Sequence, residues 1–477
     1  MLALSSILAA PLHVLMGVAP SIEPAAEVDT GFTDETLIAS PLDIFHGYMG
    51  VFVVAFLVSL FATPLMRKLA VSHGIVDRPT EARKAHRVPI AYLGGIAVFM
   101  GIAAGIAFSF FGPEFSELVY KMHAPEDTLS SVPFSVLLGM TLITITGLWD
   151  DVFGLDPRLK IAGQLMAAAA LALDNVGVQV AQGILAPIGR LVGNETLTWH
   201  IPLDFVGYPS GHITIDLVYW AGTAIIAVFV LGACNASNLI DGLDGLLSGV
   251  TAIAAAGLLI VAVMMAAHGD GVTPQGTSLD GARIILCLAL LGGCLGFLPH
   301  NFNPATIFLG DCGSLLLGYM TITIILSLGD TGKTHLVIAG LIIYAIPIID
   351  TVLAIVRRKL SGKPMSAADD QHLHHMLKRA LGVKGAAFAL YGIGIVFAAL
   401  GIWLTFGRVR VVFTIAMVIA AFIGVTAVKI ARKQVIEQQT LSRESARAAR
   451  LGSAPRAAAT PDTGDAVHAG PESTRPA

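Results

Sequence analysis

Eleven apolar runs dominate this chain, at roughly 48–70, 91–112, 132–149, 160–176, 216–233, 246–267, 282–299, 314–329, 335–357, 385–406 and 410–430. Each is long enough, or nearly so, to cross the roughly 30 Å hydrocarbon core of a bilayer as a helix. In that medium every backbone N–H and C=O must find an internal partner, which leaves the helix as the form such runs can take. Only 13% of the residues are charged, against about 25% in soluble domains. The mean hydropathy of +0.77 agrees. The expected fold is therefore an all-α polytopic membrane protein with about 11 transmembrane helices, within a range of roughly 10 to 12.

The ends of the chain read differently. Residues 1–45 form an N-terminal extension, whose apolar run Leu2–Ala19 is broken by Pro11 and His13 and has no Lys or Arg before it. That makes it a poor signal peptide and a poor span. Residues 46–432 form the integral membrane domain. The stretch 433–477, rich in Ala, Arg, Pro and Thr without apolar period, is expected to be a disordered tail.

Charge gives the orientation. Five loops, 71–90, 150–159, 234–245, 300–313 and 358–384, share one side and with their flanks hold fifteen Lys and Arg. The opposite loops hold six. Positive charge stays in the cytoplasm, so the N-terminus is expected outside and the tail inside. External loop 177–215, with Trp199 and Tyr208, reads as an ordered loop or hairpin. The net charge of −4 and the lack of a basic arm argue against nucleic acid as a partner. Cys234, Cys287, Cys294 and Cys312 sit in or beside apolar runs with no CxxC pair, so neither a disulfide framework nor a zinc site is expected.

Almost every chemically suggestive motif falls on the cytoplasmic side. A transporter would place its ionisable groups near mid-membrane, and only Asp174 and Asp350 come close to that. Asp350 lies about two turns from the basic end Arg357–Lys359, which draws it toward the cytoplasmic face. The stretch CNASNLIDGLDGLL, Cys234–Leu247, carries Asn235, Asn238, Asp241 and Asp244 at steps of three. If helical, it sets them on roughly one face. Such a row suits a hard cation or the phosphates that ride on one; a polar turn with capping residues is the plainer alternative.

The other loops repeat that choice. Asp150 and Asp151 are adjacent at a helix end, and like charges there need a cation or a donor, which Lys160 alone could supply. Asp311, in the run Phe308–Ser314, either caps the next helix or serves a site at its N-terminus. Asn301 and Asn303 add polar groups nearby. The loop from Asp77 to Gly95 holds Arg83, Lys84 and His86 before Gly94-Gly95; it can attract headgroups generally or cradle one lipid phosphate. His372, His374 and His375 are better suited to a diphosphate or nucleobase than to zinc, which lacks further spaced ligands here. No P-loop, dinucleotide fingerprint, nucleophile elbow or zinc helix is present.

Asp77–Gly95, Asp150-Asp151 through Gln164, Asn235–Leu246, Phe308–Ser314 and His372–His375 together resemble, in order and spacing, the polyprenyl-phosphate N-acetylhexosamine-1-phosphate transferase family. The form Asp-x-Gln-His-x-His-His is closer to the undecaprenyl-phosphate GlcNAc-1-phosphate transferases than to the phospho-N-acetylmuramoyl-pentapeptide transferases. The chain departs from relatives at Asp370, where they usually carry Arg or Lys.

The resemblance implies a transferase of the bacterial inner membrane, with its site facing the cytoplasm, that begins a cell-envelope polysaccharide such as O-antigen. It implies a UDP-sugar donor (UDP-GlcNAc first), undecaprenyl phosphate as acceptor, the bilayer as partner and a homodimer as an admissible assembly. It also implies Mg²⁺, with Mn²⁺ as the alternative. Asp150, Asp151, Asp241 and Asp244 are then the expected catalytic residues, and Asp311, Asp151 and Asn238 the expected metal ligands. Asn235, Asn238, Lys160, Arg83, Lys84, His86, His372, His374 and His375 are expected to bind substrate. Transfer of another amino sugar and membrane transport are the competing readings.

Overall fold

The computed structural model describes residues 40–77, 89–111, 132–194, 196–202, 212–268, 279–360 and 372–419, with isolated positions beyond. The readings placed on residues 1–39 of the N-terminal extension, on Arg83, Lys84 and His86, on Asp370 and on most of the tail lie outside the described residues, while residues 41–45 of the extension open the first helix.

The described chain is a helical bundle. In order it forms α1 (Pro41–Ser72), a short hairpin β1 (Val76–Asp77) and β2 (Ile90–Ala91), α2 (Gly94–Phe111), α3 (Phe134–Phe153) and α4 (Pro157–Leu173). There follow α5 (Val180–Val192), hairpin strands β3 (Thr198–Pro202) and β4 (His212–Asp216), α6 (Leu217–Ile240) and α7 (Leu246–His268). The chain continues with α8 (Asp280–Asn301), α9 (Gly310–Ser327), α10 (Thr334–Ile343), α11 (Ala345–Leu360), α12 (Leu373–Thr405) and α13 (Val409–Ile419).

Among the described residues seven helices are long and apolar enough to cross a membrane, or eight if α10 and α11 count as one bent span. The chain is thus an all-α polytopic membrane protein. Each of the eleven apolar runs is mostly helical where described, but α2, α4 and α13 are not among the helices that pass as spans by length and apolarity. The loop expected outside holds the amphipathic α5 and an antiparallel hairpin pairing Thr198 with Asp216 and Pro202 with His212.

One run departs from the straight span expected at 335–357: α10 and α11 meet at 82°. Pro347, near the start of α11, has no N–H to give and its ring crowds the carbonyl four residues back. The helix therefore breaks at Tyr344 and restarts in a new direction. This turn carries Asp350 to the level of α12's first residue.

At the centre stands α9. Of its apolar window 89% is buried, against 28% for α1, so α9 is the post around which the others pack. Its threonine hydroxyls are satisfied without leaving the helix: Thr321 donates to the Leu317 carbonyl at 2.7 Å and Thr323 to Tyr319 at 2.8 Å. Such back-bonds let polar side chains sit in an apolar interior. The end of α9 remote from Asp311 is closed by the fully buried Arg283, which bonds Asp280 at 2.7 Å and the Ser327 carbonyl through two nitrogens. A buried guanidinium needs that full set of acceptors.

At the other end the backbone of α9 is sewn to α2. Gly94 N–H donates to the Phe308 carbonyl at 3.0 Å, Gly95 N–H to Leu309 at 2.9 Å, and Phe308 N–H to Ala91 at 2.9 Å. The paired glycines are there because the two chains nearly touch: a Cβ on Gly95 would lie 2.2 Å from the Gly313 nitrogen. Gly95→Ala must therefore push α2 and α9 apart, at a cost of about 1–3 kcal/mol. The expected result is a lower Tm of the detergent-solubilised protein; an unchanged Tm would show that this seam is not tight.

Candidate active site

Helix ends meet at one end of the bundle, and the polar motifs ride on them. At the end of α3, Asp150 accepts the Leu155 N–H at 2.7 Å and pairs with Lys160 of α4 at 2.9 Å. Lys160 also bonds Asp311, the second residue of α9. One ammonium thus bridges two carboxylates from different helices. Neighbouring Asp151 is turned the other way: its two oxygens accept the N–H groups of Asp311 at 2.7 Å and Cys312 at 2.9 Å. Asp151 is therefore the cap of α9, supplied from another helix, and it offsets the positive end of that helix dipole. Gly310, with φ +69°, turns the chain under it.

The Asn–Asp row is split between a helix and a turn. Asn235 and Asn238 belong to the last turns of α6, which ends at Ile240, while Asp241 and Asp244 follow it. Asn238 donates to Asp311 at 2.6 Å and to Ser314 at 2.9 Å. Asn235 lies deeper, on the Gln164 carboxamide at 2.9 Å and the Leu231 carbonyl. Asp244 accepts from the Asn303 side chain at 2.8 Å and the Ala305 N–H at 3.0 Å, so it ties down the turn after α8. Asp241 carries no hydrogen bond among the described residues.

A cavity of about 280 Å³ opens among these ends, lined by Asn238, Asp241, Asp244 and Asp311 with His375 and Lys378 of α12. Asp77, Tyr92 and Phe308 complete its wall, the last two rings 6.2 Å apart. Asp150, Asp151 and Lys160 stand behind Asp311. His372 and His374 do not reach the cavity wall. They are 5% and 1% exposed, and both turn Nδ1 to the buried Asp350, at 3.2 and 3.1 Å. Lys378 escaped the sequence reading, although it stands three residues after His375 and so on the same helical face. Tyr92 carried no signal beyond its place beside Gly94-Gly95.

The donor set tests whether a hard cation fits. Asp241, Asp244 and Asp311 share the cavity, and Asp241 is unbonded among the described residues. Burial, then the charges of Asp311, Asp151 and Asp244, push its carboxyl up to about 8. Carboxylate and carboxamide oxygens so gathered suit a divalent hard cation, which would remove that repulsion. The folded-state pKa of about 8 lies above the usual value of about 4. Without metal, the folded protein therefore holds a proton that the unfolded chain has released. Its stability should fall as pH rises from about 4 to about 8 and level above that. Melting curves in chelator across that window, repeated with Mg²⁺, check this: Mg²⁺ should recover most at the alkaline end.

The profile of glycosyl transferase family 4 matches residues 133–329, the stretch from α3 to just past α9. The "Probable undecaprenyl-phosphate N-acetylglucosaminyl 1-phosphate transferase" of Bacillus subtilis (strain 168) is 31% identical over 72% of this chain and 82% of its own. The "Decaprenyl-phosphate N-acetylglucosaminephosphotransferase" of Mycolicibacterium smegmatis is 32% identical over 80% and 87%. The "Undecaprenyl-phosphate alpha-N-acetylglucosaminyl 1-phosphate transferase" of Escherichia coli (strain K12) is 30% identical over 68% and 74%. The chain belongs to the polyprenyl-phosphate N-acetylhexosamine-1-phosphate transferases of glycosyl transferase family 4. It is a membrane enzyme of that class.

Proposed function

We propose that this protein transfers GlcNAc-1-phosphate from UDP-GlcNAc to undecaprenyl phosphate at the cytoplasmic face of a bacterial plasma membrane. The observation that carries the reading is a polar cavity and an apolar groove that both draw on α6. The cavity has carboxylates on one wall and His375 and Lys378 on another. The groove, of about 450 Å³, runs along α6, α10 and α11 and is lined by residues such as Val228, Ala236, Ile342 and Val352. Ala236 of the groove lies between Asn235 and Asn238 on the same helix. A diphosphate with its counter-ion suits the first space and a polyprenyl tail the second. The same orientation implies eleven spans, an N-terminus outside and a cytoplasmic tail.

An oxygen of the lipid phosphate attacks the β-phosphorus of the donor. The bond from that phosphorus to the α,β-bridging oxygen breaks, and UMP leaves with the electron pair. The products are polyprenyl-diphospho-GlcNAc and UMP. The nucleophile is already an anion at neutral pH, so the demand is to bring negative charges together rather than to remove a proton. Asp241, Asp311 and Asn238 would hold Mg²⁺. Bound there, Mg²⁺ supplies neutralisation of diphosphate charge and of the developing charge on the leaving group. His375 and Lys378 add positive charge from the facing wall. Lys160 keeps Asp150 and Asp311 together, and Asp151 fixes the N-terminus of α9, which sets where Asp311 stands. Arg83, Lys84 and His86 are proposed to hold the lipid phosphate. A homodimer is part of the proposal only as an admissible assembly.

Membranes or purified protein given UDP-GlcNAc, undecaprenyl phosphate and Mg²⁺ should release UMP and move the sugar into the lipid phase. Folded protein that does neither with any common UDP-HexNAc defeats the reading. If only another amino sugar moves, the donor assignment fails while the chemistry stands. Asp311→Asn should fold, because Asn keeps one acceptor oxygen for Lys160 while Asn238 retains its bond to Ser314. It should lose on the order of 10²-fold or more in kcat, with tenfold more Mg²⁺ failing to restore it. Near-normal turnover would remove Asp311 from the cation site.

A further inference from the structure

Asp350 is unused by the chemistry above, yet it is 1% exposed and holds three donors. One oxygen accepts the Leu373 N–H at 2.7 Å, and the other faces Nδ1 of both His372 and His374. A buried carboxylate beside two imidazoles places the ring protons on Nδ1, since only an N–H can satisfy it there. The His372 and His374 rings stack at 5.3 Å. On its other flank His374 abuts the Asp241–Asp244 turn: a Cβ added to Gly242 would lie 2.7 Å from its Nε2.

The geometry around this cluster is that of a mechanical anchor. The first turns of α12 carry His375 and Lys378, but they do not inherit their direction from the span that follows. Gly382, with φ +74°, breaks the helix between them. Leu373 is the first residue of that arm, so Asp350 caps it from another helix, as Asp151 caps α9. The 82° bend between α10 and α11 is what brings Asp350 within reach.

We infer that Asp350 is a positioning residue: through Leu373, His372 and His374 it fixes the arm 373–381 so that His375 and Lys378 face the cavity. His372 and His374 are then struts of the arm, and His375 alone of the three meets substrate. What His375 and Lys378 bind rests on the proposed function; the anchoring does not. A buried His₂–Asp metal centre is the competing reading, since donor atoms of the three lie within 4.8 Å of one another. Against it, each oxygen of Asp350 already has a nitrogen donor in hydrogen-bond reach.

The test uses the full-length protein in nanodiscs with Asp350→Asn and Asp350→Ala. Hydrogen exchange of peptides covering 373–381 is expected to quicken tenfold or more in Asp350→Ala while peptides from 385–405 stay unchanged. Asp350→Asn, which keeps an acceptor for Leu373 and is the variant to use if the alanine form fails to fold, should quicken less. Unchanged exchange of the arm in a folded variant overturns the proposal. In steady-state assays the KM for UDP-GlcNAc should rise about tenfold with the KM for undecaprenyl phosphate unaltered. Asp350→Asn added to His375→Ala should cost less than it does alone; full additivity would overturn the coupling. Zinc or another transition metal bound one-to-one by the wild type and lost in Asp350→Asn would also overturn it, in favour of the metal centre. The exchange result holds whether or not the wild type transfers GlcNAc-1-phosphate, so failure of the activity and failure of the anchor are told apart.

Discussion

A helix that starts at a membrane boundary leaves its first N–H groups without partners, and the site in this protein is built on two such starts. Asp151 of α3 takes the N–H groups of Asp311 and Cys312 at the head of α9. Asp350 of α11 takes that of Leu373 at the head of α12. The first cap comes from a helix 160 residues away and the second from the preceding helix, so each bond closes the tertiary structure as well as a local end. Leaving such donors unmet in a water-poor place costs about 1–3 kcal/mol each. Their satisfaction therefore decides where α9 and α12 begin. Asp311, His375 and Lys378, all within the first turns of those helices, inherit their positions from it.

This arrangement divides the acidic residues by what already holds them. Asp150 is tied to Lys160 and Leu155, Asp151 to the head of α9, Asp244 to the turn after α8, and Asp350 to the arm of α12. Asp241 is tied to nothing described, and Asp311 faces the cavity on the Lys160–Asn238 pair. On the proposed function, a cation would sit where structural duty is least. The sequence expectation divided the aspartates by role, and their hydrogen bonds divide them by partner.

What could be read from the chain and what could not follows the same line. Apolar length and period located the helices, because a bilayer leaves the backbone no other choice. The placement of the motifs at one end also came through, since the charge of a loop is local information. Partners did not: nothing in the letters Asp150-Asp151 says that one carboxylate turns to Lys160 and the other to the start of a helix 160 residues on. The three histidines read as one cluster, although alternation about the start of α12 sends two of them to Asp350 and one to the cavity. Pro347 was a visible signal for the 82° break, masked by an unbroken run of Ile and Leu around it.

The break has a consequence for how substrate of mixed character is handled. A straight helix at 335–357 would present one face to lipid along its whole length. Bent at Tyr344, it instead leaves the apolar groove between α6, α10 and α11 and lifts Asp350 toward the bundle end that holds the cavity. Ser237 and Tyr344 share a buried hydrogen bond of 2.6 Å at this corner, joining the bend to the helix that carries Asn235 and Asn238. The groove and the polar wall are thus two faces of one helix, α6. On the proposed function, a polyprenyl tail held along the first would bring its phosphate toward the second, which is the geometric problem that a transferase between a water-soluble donor and a membrane acceptor has to solve.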